Sequence, residues 1–194
     1  MPPPTFALTV DLQPVSGRVL VQLPSTTARS SAGGRAGFVL LSAPRQVPVG
    51  SVIDATAGLV RLTVATPAPA HLQSGSFHGG IFQVLQNSAD HGLTVLRIRD
   101  NRSRRTTCGL TAAGNPTRRI STTILGLLRG VATGQFRTVG QFAAATVRGT
   151  AWGVRDRCDG TLTVVEQGVV DVRDFHVGKN IIVTAGHTYL AQAG

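Results

Sequence analysis

The chain has 194 residues, 42% of them hydrophobic, with 23 Gly and 10 Pro. That apolar content is enough to bury a core and excludes wholesale disorder, while the Gly and Pro content favours many turns over long helices. Lys+Arg number 19 against 9 Asp+Glu, a formal net charge of +10, yet aromatics are only 5% and are not interleaved with the arginines, which argues against a base-stacking nucleic-acid platform.

Residues 5–13, TFALTVDLQ, alternate, with Phe6, Leu8, Val10 and Leu12 on one face, and predict a half-buried strand. Residues 15–24 predict a second strand that Pro24 ends. A small-residue loop at 25–37 and a short apolar strand at 38–42 follow. Residues 43–67 predict strand, turn at Ala57-Gly58, and strand, and residues 68–80 predict a loop. IFQVLQ and LTVLRIRD, on either side of NSADHG, predict a hairpin. Residues 101–119 are polar, basic and punctuated by Gly and Pro. Residues 120–130, ISTTILGLLRG, bring Ile120, Ile124, Leu127, Leu128 and the following Val131 to helical spacing and predict the one short helix, weakened by Gly126. Strand patterns then resume to the end, in GQFRTVGQFAAATVRGTAWGVRD, TLTVVEQ, VVDVRD and NIIVTAGHTYLAQA.

Short strands separated by Gly, Asp-Gly or Asn turns predict an all-β protein: antiparallel and coiled strands forming a β-roll, solenoid-like or sandwich core, with a barrel among the architectures such spacing admits. The expected organisation is an N-terminal strand or arm at 1–14 and one all-β domain at 15–194. That domain divides into lobes 15–100 and 131–194 joined by the basic irregular segment 101–130. No apolar run reaches transmembrane length, and MPPPTFALTV lacks the basic start and apolar centre of a signal peptide. The chain therefore reads as cytoplasmic or as a mature or excised segment.

Chemistry is sought first where charge concentrates. Asp156, Asp159, Glu166, Asp171 and Asp174 are five of the nine acidic residues. DRCDG does not have the spacing of a calcium loop, and Asp159-Gly160 is a hairpin signal in its own right. Asp171 and Arg173 share a strand face, which predicts cross-strand ion pairs. His71, His78, His91, His176 and His187 form no closely spaced pair, and no G-x-S-x-G elbow is present. No catalytic, cofactor or metal residues are assigned. Trp152, flanked by strand residues, is expected in the core. Arg102, Arg104, Arg105, Arg118 and Arg119 are the candidate contacts for an anion or partner, against the alternative of a solvated loop.

The C-terminal half carries a recognisable string. Arg148-Gly149-Thr150, the Asp159-Gly160-Thr161 turn, the hairpin from Val165 to Val172 and the Val183 to Gly186 turn resemble the FecR-like domain, in a form similar to secreted or surface proteins of actinobacteria. The N-terminal strings VSGRVLVQ and QVPVGSVIDATAGLVRLTVA resemble its start, so the likeness spans about residues 15–190. The resemblance implies an extracytoplasmic, non-enzymatic β module that makes protein contacts. In signalling members it sits between a membrane anchor and a receptor partner, and no such anchor is read in this sequence. Cys108 and Cys158 are the two cysteines, each near a glycine, and outside any C-x-x-C pair. In an extracytoplasmic family they are expected to form a disulfide.

Three functions follow as expectations. The first is a structural or protein-interaction module at the cell surface or outside the cell. It could self-assemble into filaments, because the strand of Phe6, Leu8, Val10 and Leu12 has no evident partner and could pair with an identical subunit. The second is a FecR-like signalling module. The third is a binder of anionic cell-wall polymer through the arginine cluster.

Overall fold

A computed structural model describes residues 2–24, 37–99, 102–109 and 121–194. The chain opens with a long strand, β1 (Thr9–Gln22), followed by the short strands β2 (Val39–Leu40) and β3 (Arg45–Pro48) and a second long strand, β4 (Val52–Ala65). Then come β5 (Leu72–His78), β6 (Ile81–Gln86) and β7 (Thr94–Arg99), the single-turn helix α1 (Arg104–Thr107), β8 (Ile124–Val139) and β9 (Ala143–Arg157). Strands β10 (Gly160–Gln167), β11 (Val169–Asp174), β12 (Asn180–Thr184) and β13 (Thr188–Gln192) complete the chain.

The protein is all-β, and its centre is a closed five-stranded barrel. The ring runs β4–β5–β8–β7–β6 and back to β4, every pair antiparallel except β7 with β8. A parallel pair cannot be joined by a tight turn, and α1 lies between β7 and β8 in the chain. The expected roll or solenoid is not shown; at its centre the sheet closes on itself, with further strands extending outward from the ring. Strand β1 covers the outer edge of β4, while β9 continues the sheet beyond β8 and carries β10 and β11 on its far edge. Strand β1 runs unbroken across positions 14 and 15, and β8 pairs with both β5 and β7, so the two halves of the sequence share one sheet.

Phe77 is the hub of the interior. Its ring lies 5.9 Å from Phe82, 5.5 Å from Phe136 and 6.1 Å from Trp152, tilted or edge-on in each case. Trp152, expected in the core, is 2% exposed and donates its Nε1–H to Thr138 Oγ1 at 3.1 Å. Space for Phe77 comes from Gly75, two residues before it on β5, and from Gly130, its cross-strand partner on β8. A Cβ at Gly75 or at Gly130 would lie 2.6 Å from the Phe77 ring.

That packing explains two corrections. Residues 68–80 are not a loop throughout; Leu72–His78 is a strand whose Gly75 accommodates an aromatic ring. Residues 120–130 are not a helix either. From Ile124 onward the segment is β8, with Leu128, Gly130 and Ala132 inward and Leu127, Arg129 and Val131 outward; Ile120 lies outside the described residues. The apparent helical spacing merged two faces of a strand, since Leu128 is buried but Val131 is 60% exposed. Among the described residues the α-helix is α1.

A third correction concerns Ala57-Gly58. The expected turn is mid-strand in β4, where the strand leaves β6 and begins to pair with β5. Gly58 lies directly against Gly17 of β1, and a Cβ there would come within 2.7 Å of the Arg18 carbonyl oxygen. The same device recurs at Gly134, between the β5-paired and β7-paired parts of β8. It recurs again at Gly149, between the β11-paired and β10-paired parts of β9; both have positive φ. The long strands bend at glycine and change partners there.

Candidate binding groove

The disulfide is formed. Cys108 and Cys158, 50 positions apart, have Cα atoms separated by 5.4 Å and pack with Leu125 in a small buried cluster. Closing a loop of that length stabilises by about 4 kcal/mol in the chain-entropy picture. It ties α1 to the β9–β10 hairpin, whose tight turn is Cys158 and Asp159.

Arg104, expected as an anion contact, belongs to this junction. Its guanidinium donates to the Arg157 carbonyl at 3.3 Å, the Cys158 carbonyl at 2.9 Å and Gln141 Oε1 at 3.3 Å, and stacks 4.4 Å from the Phe142 ring centroid. Arg102 and Arg105 are exposed, and Arg118 and Arg119 lie outside the described residues. Arg104 is a structural clamp because the hairpin leaves carbonyls for it to cap.

The acidic cluster is likewise dispersed into turns. Asp156 is 2% exposed, and its Oδ1 accepts from the Gln141 N–H at 3.0 Å and from the Thr161 hydroxyl. Burial raises the Asp156 carboxyl above the usual carboxylate range, against the opposing pull of those hydrogen bonds and of Arg104. Asp159 forms a two-point contact with Arg157. Asp174 Oδ1 accepts from the backbone N–H of His176 at 2.9 Å and of Val177 at 3.0 Å, and Oδ2 accepts from the Tyr189 hydroxyl at 2.8 Å. Burial works against the Asp174 charge, but these three donors together outweigh it and hold the carboxyl below the usual range. Tyr189 is raised by its own burial and by this carboxylate. In place of the expected cross-strand ion pairs, Asp171 and Arg173 meet a neutral partner on β12. Asn180 bridges them, accepting from Arg173 and donating to Asp171 Oδ2, each at 3.1 Å.

Over residues 11–12 the N-terminal strand has partners on both edges. Phe6 and Leu8 sit in a turn before β1, and Val10 and Leu12 are fully buried. Over Asp11 and Leu12, β1 is flanked by β3 on one side and β4 on the other, so the edge that subunit pairing would need is already occupied.

What the outer face does present is a groove of about 750 Å³ on strands β8, β9, β11 and β12. Register builds it in rows. Arg137, Thr146 and Asp171 lie side by side across β8, β9 and β11; Val139, Ala144, Arg173 and Asn180 form the next row; Gln135 and Arg148 the one on the other side. Small residues of β9, Ala144 and Thr146, make the floor, and the long guanidinium side chains make the walls. Asp90 and His91, in the loop between β6 and β7, close one side because β7 enters the barrel beside Phe136 of β8. Phe175, 48% exposed, stands at the rim.

The partners within the groove are incomplete. Arg137 uses its Nε–H on Thr146 Oγ1 at 3.0 Å. Arg148 makes no hydrogen bond or ion pair among the described residues. Asp171 Oδ1 is buried and has no hydrogen-bond partner among the described residues. Sequence reading missed this site because its residues come from four strands, each showing an ordinary outward position. The signal was present all the same: FRTV, TVR and VDVR place an arginine on outward positions of three strands that turn out to be adjacent.

No family model, curated protein or solved structure matches this chain.

Proposed function

We propose that this chain is a non-enzymatic, extracytoplasmic interaction module that works by binding, and that the arginine groove is its binding surface. The observation that carries the reading is the contrast in how charges are used. The carboxylates concentrated between Asp156 and Asp174 are largely committed to turns and hydrogen bonds, whereas Arg137, Arg148 and Arg173 converge on one open groove. The formal charge of +10 favours an anionic counterpart, such as a cell-surface polymer or an acidic face of a partner protein. The disulfide supports an oxidising location, and the resemblance to the FecR-like domain, resting on the quoted strings, points the same way.

Retention on immobilised heparin, read as the salt concentration of elution, tests the reading. The Arg137→Gln, Arg148→Gln, Arg173→Gln triple variant should elute at markedly lower salt than a control variant with Arg102→Gln and Arg105→Gln. Equal elution of the two variants, or no retention of the parent protein, would remove the groove from consideration. Alkylation of natively produced protein with and without reductant tests the location; two freely reactive thiols would contradict it.

A further inference from the structure

We infer that β12 is a docking edge for an extended acidic segment of a partner protein, which joins the sheet as an added antiparallel strand; this names the partner of the arginine groove and rests on that groove being the binding surface. Strand β12 borders the groove through Asn180 and is the last strand of the sheet on that side, paired with β11 alone among the described residues. Its backbone is half committed. At the two ends of the β11–β12 ladder the Asp174 N–H donates to the Lys179 carbonyl at 2.9 Å and the Ala185 N–H to the Gly168 carbonyl at 3.0 Å. Antiparallel pairing alternates, so Ile181 and Val183 turn N–H and C=O toward β11, whereas Asn180 and Ile182 turn theirs to the open edge. Edge strands are ordinarily blunted by a charge, a proline or a bulge, and NIIVT pairs in unbroken register with none of the three. Ile182 instead stands 63% exposed at that edge.

The edge chooses the class of ligand, and the side chains choose its sequence. Donors and acceptors alternating along an open strand are matched by an extended polypeptide backbone, a repeat that phosphate, sulfate or a sugar ring lacks. In an added antiparallel strand, the residues opposite Asn180 and Ile182 point to the groove side. Opposite Ile182 an apolar neighbour fits. Opposite Asn180 the charge decides. The Arg173 guanidinium reaches toward the edge to donate to Asn180 Oδ1 at 3.1 Å, and its other donors make no hydrogen bond or ion pair among the described residues. A carboxylate placed there meets it. The partner strand therefore reads apolar, any residue, acidic. A second copy of β12 centred on Ile182 would set Thr184 opposite Asn180, giving Arg173 no acid, and would bring together two chains of net charge +10.

Calorimetric titration of the protein with the end-capped peptide TTVTETT provides the test, with a dissociation constant of about 1 mM or lower expected. N-methylation of the valine and glutamate removes the donors that face the edge and should weaken binding by at least about tenfold; N-methylation of the threonine between them, whose N–H faces away, should change it by less than about threefold. TTVTQTT should bind about threefold more weakly than TTVTETT, and Arg173→Gln should abolish that difference. Ile182→Pro withdraws an edge donor without breaking a bond to β11 and should remove binding while leaving thermal unfolding unchanged. The N-methylated peptides need no altered protein, so the test stands even where that variant unfolds. No binding of TTVTETT, or equal loss from the two patterns of N-methylation, overturns the inference. Self-association of the protein that Ile182→Pro abolishes, with no peptide binding, assigns the edge to a second copy and overturns it too. Heparin retention that depends on the arginines, without peptide binding, sinks this inference alone; loss of both sinks the groove reading as well.

Discussion

At its C-terminal end strand β9 is tied down by Arg104, Asp156 and the Cys108–Cys158 bridge, while along its N-terminal half the same strand is the floor of an open groove walled by Arg137 and Arg173. Both ends are rich in arginine, and both have buried or half-buried aspartates. The difference lies in the backbone around them. The closed end is a hairpin turn, where the carbonyls of Arg157 and Cys158 are left for a guanidinium to cap. The open half is paired on both edges, with β8 and β11, so its carbonyls and N–H groups are satisfied by the ladder. An arginine there has no backbone to hold and faces outward. Whether a cation becomes structure or surface is decided by which backbone groups its strand has already paired.

The largest effect should come from opening the closed end. The Cys108→Ser, Cys158→Ser double variant should lose about 4 kcal/mol of stability, which lowers Tm by roughly 8–16 °C for a chain of this size. Heparin retention below the new transition should survive, because the bridge lies away from the groove. A loss of retention in the folded variant would show that the two ends of β9 are coupled. Next, Arg104→Ala removes three hydrogen bonds and the Phe142 stack and should cost about 2 kcal/mol by chemical denaturation. Arg148→Ala in the open half should stay within about 0.5 kcal/mol.

The two buried aspartates sharpen the comparison through pH. Asp174 has a lowered folded pKa, so its stabilisation is present above the unfolded carboxylate range and is lost as pH falls through the folded value. Asp174→Asn should therefore be destabilising at neutral pH, on the order of 1 kcal/mol, with the gap to the parent closing in acid. Asp156 has a raised folded pKa, so the fold favours its neutral form. Its contribution is fully present below the unfolded value and fades as pH rises through the folded one. Asp156→Asn keeps an acceptor for Gln141 and Thr161 without the buried charge, and its stability relative to the parent should increase as pH rises above about 4. Parallel pH profiles for the two variants would contradict the opposite environments described above. The smallest effect is expected from Arg105→Gln, an exposed position on α1, which should leave both Tm and heparin elution nearly unchanged.

Much of the β character was legible, because alternation survives wherever a strand has one wet face. The β6–β7 hairpin, the strands after Gly160 and the Cys108–Cys158 pairing follow from local pattern, composition and the resemblance. Glycine was the main source of error. Gly58 reads locally as part of a turn but lies mid-strand against the backbone of β1, and Gly130, at the end of the expected helix, lies opposite Phe77 and leaves room for its ring. Such demands arise from contacts far apart in sequence and leave no local signature. The N-terminal alternation was read correctly at Val10 and Leu12, but its partners β3 and β4 lie tens of residues on, and only the barrel shows that both edges are taken. The groove was hidden for the same reason, as its rows exist only once β8, β9 and β11 are in register.

The parallel pair of β7 and β8 also governs the order in which this chain can be made. As synthesis proceeds, β4 to β7 emerge with no way to complete a ring, since β5 and β7 both wait for the same late strand, β8. Contacts of such long sequence separation form slowly, and until they form the chain carries exposed strand edges. Because β8 ends at Val139 of 194 residues, the barrel cannot close until roughly 70% of the chain has been synthesised, and the ring stays open for most of that time.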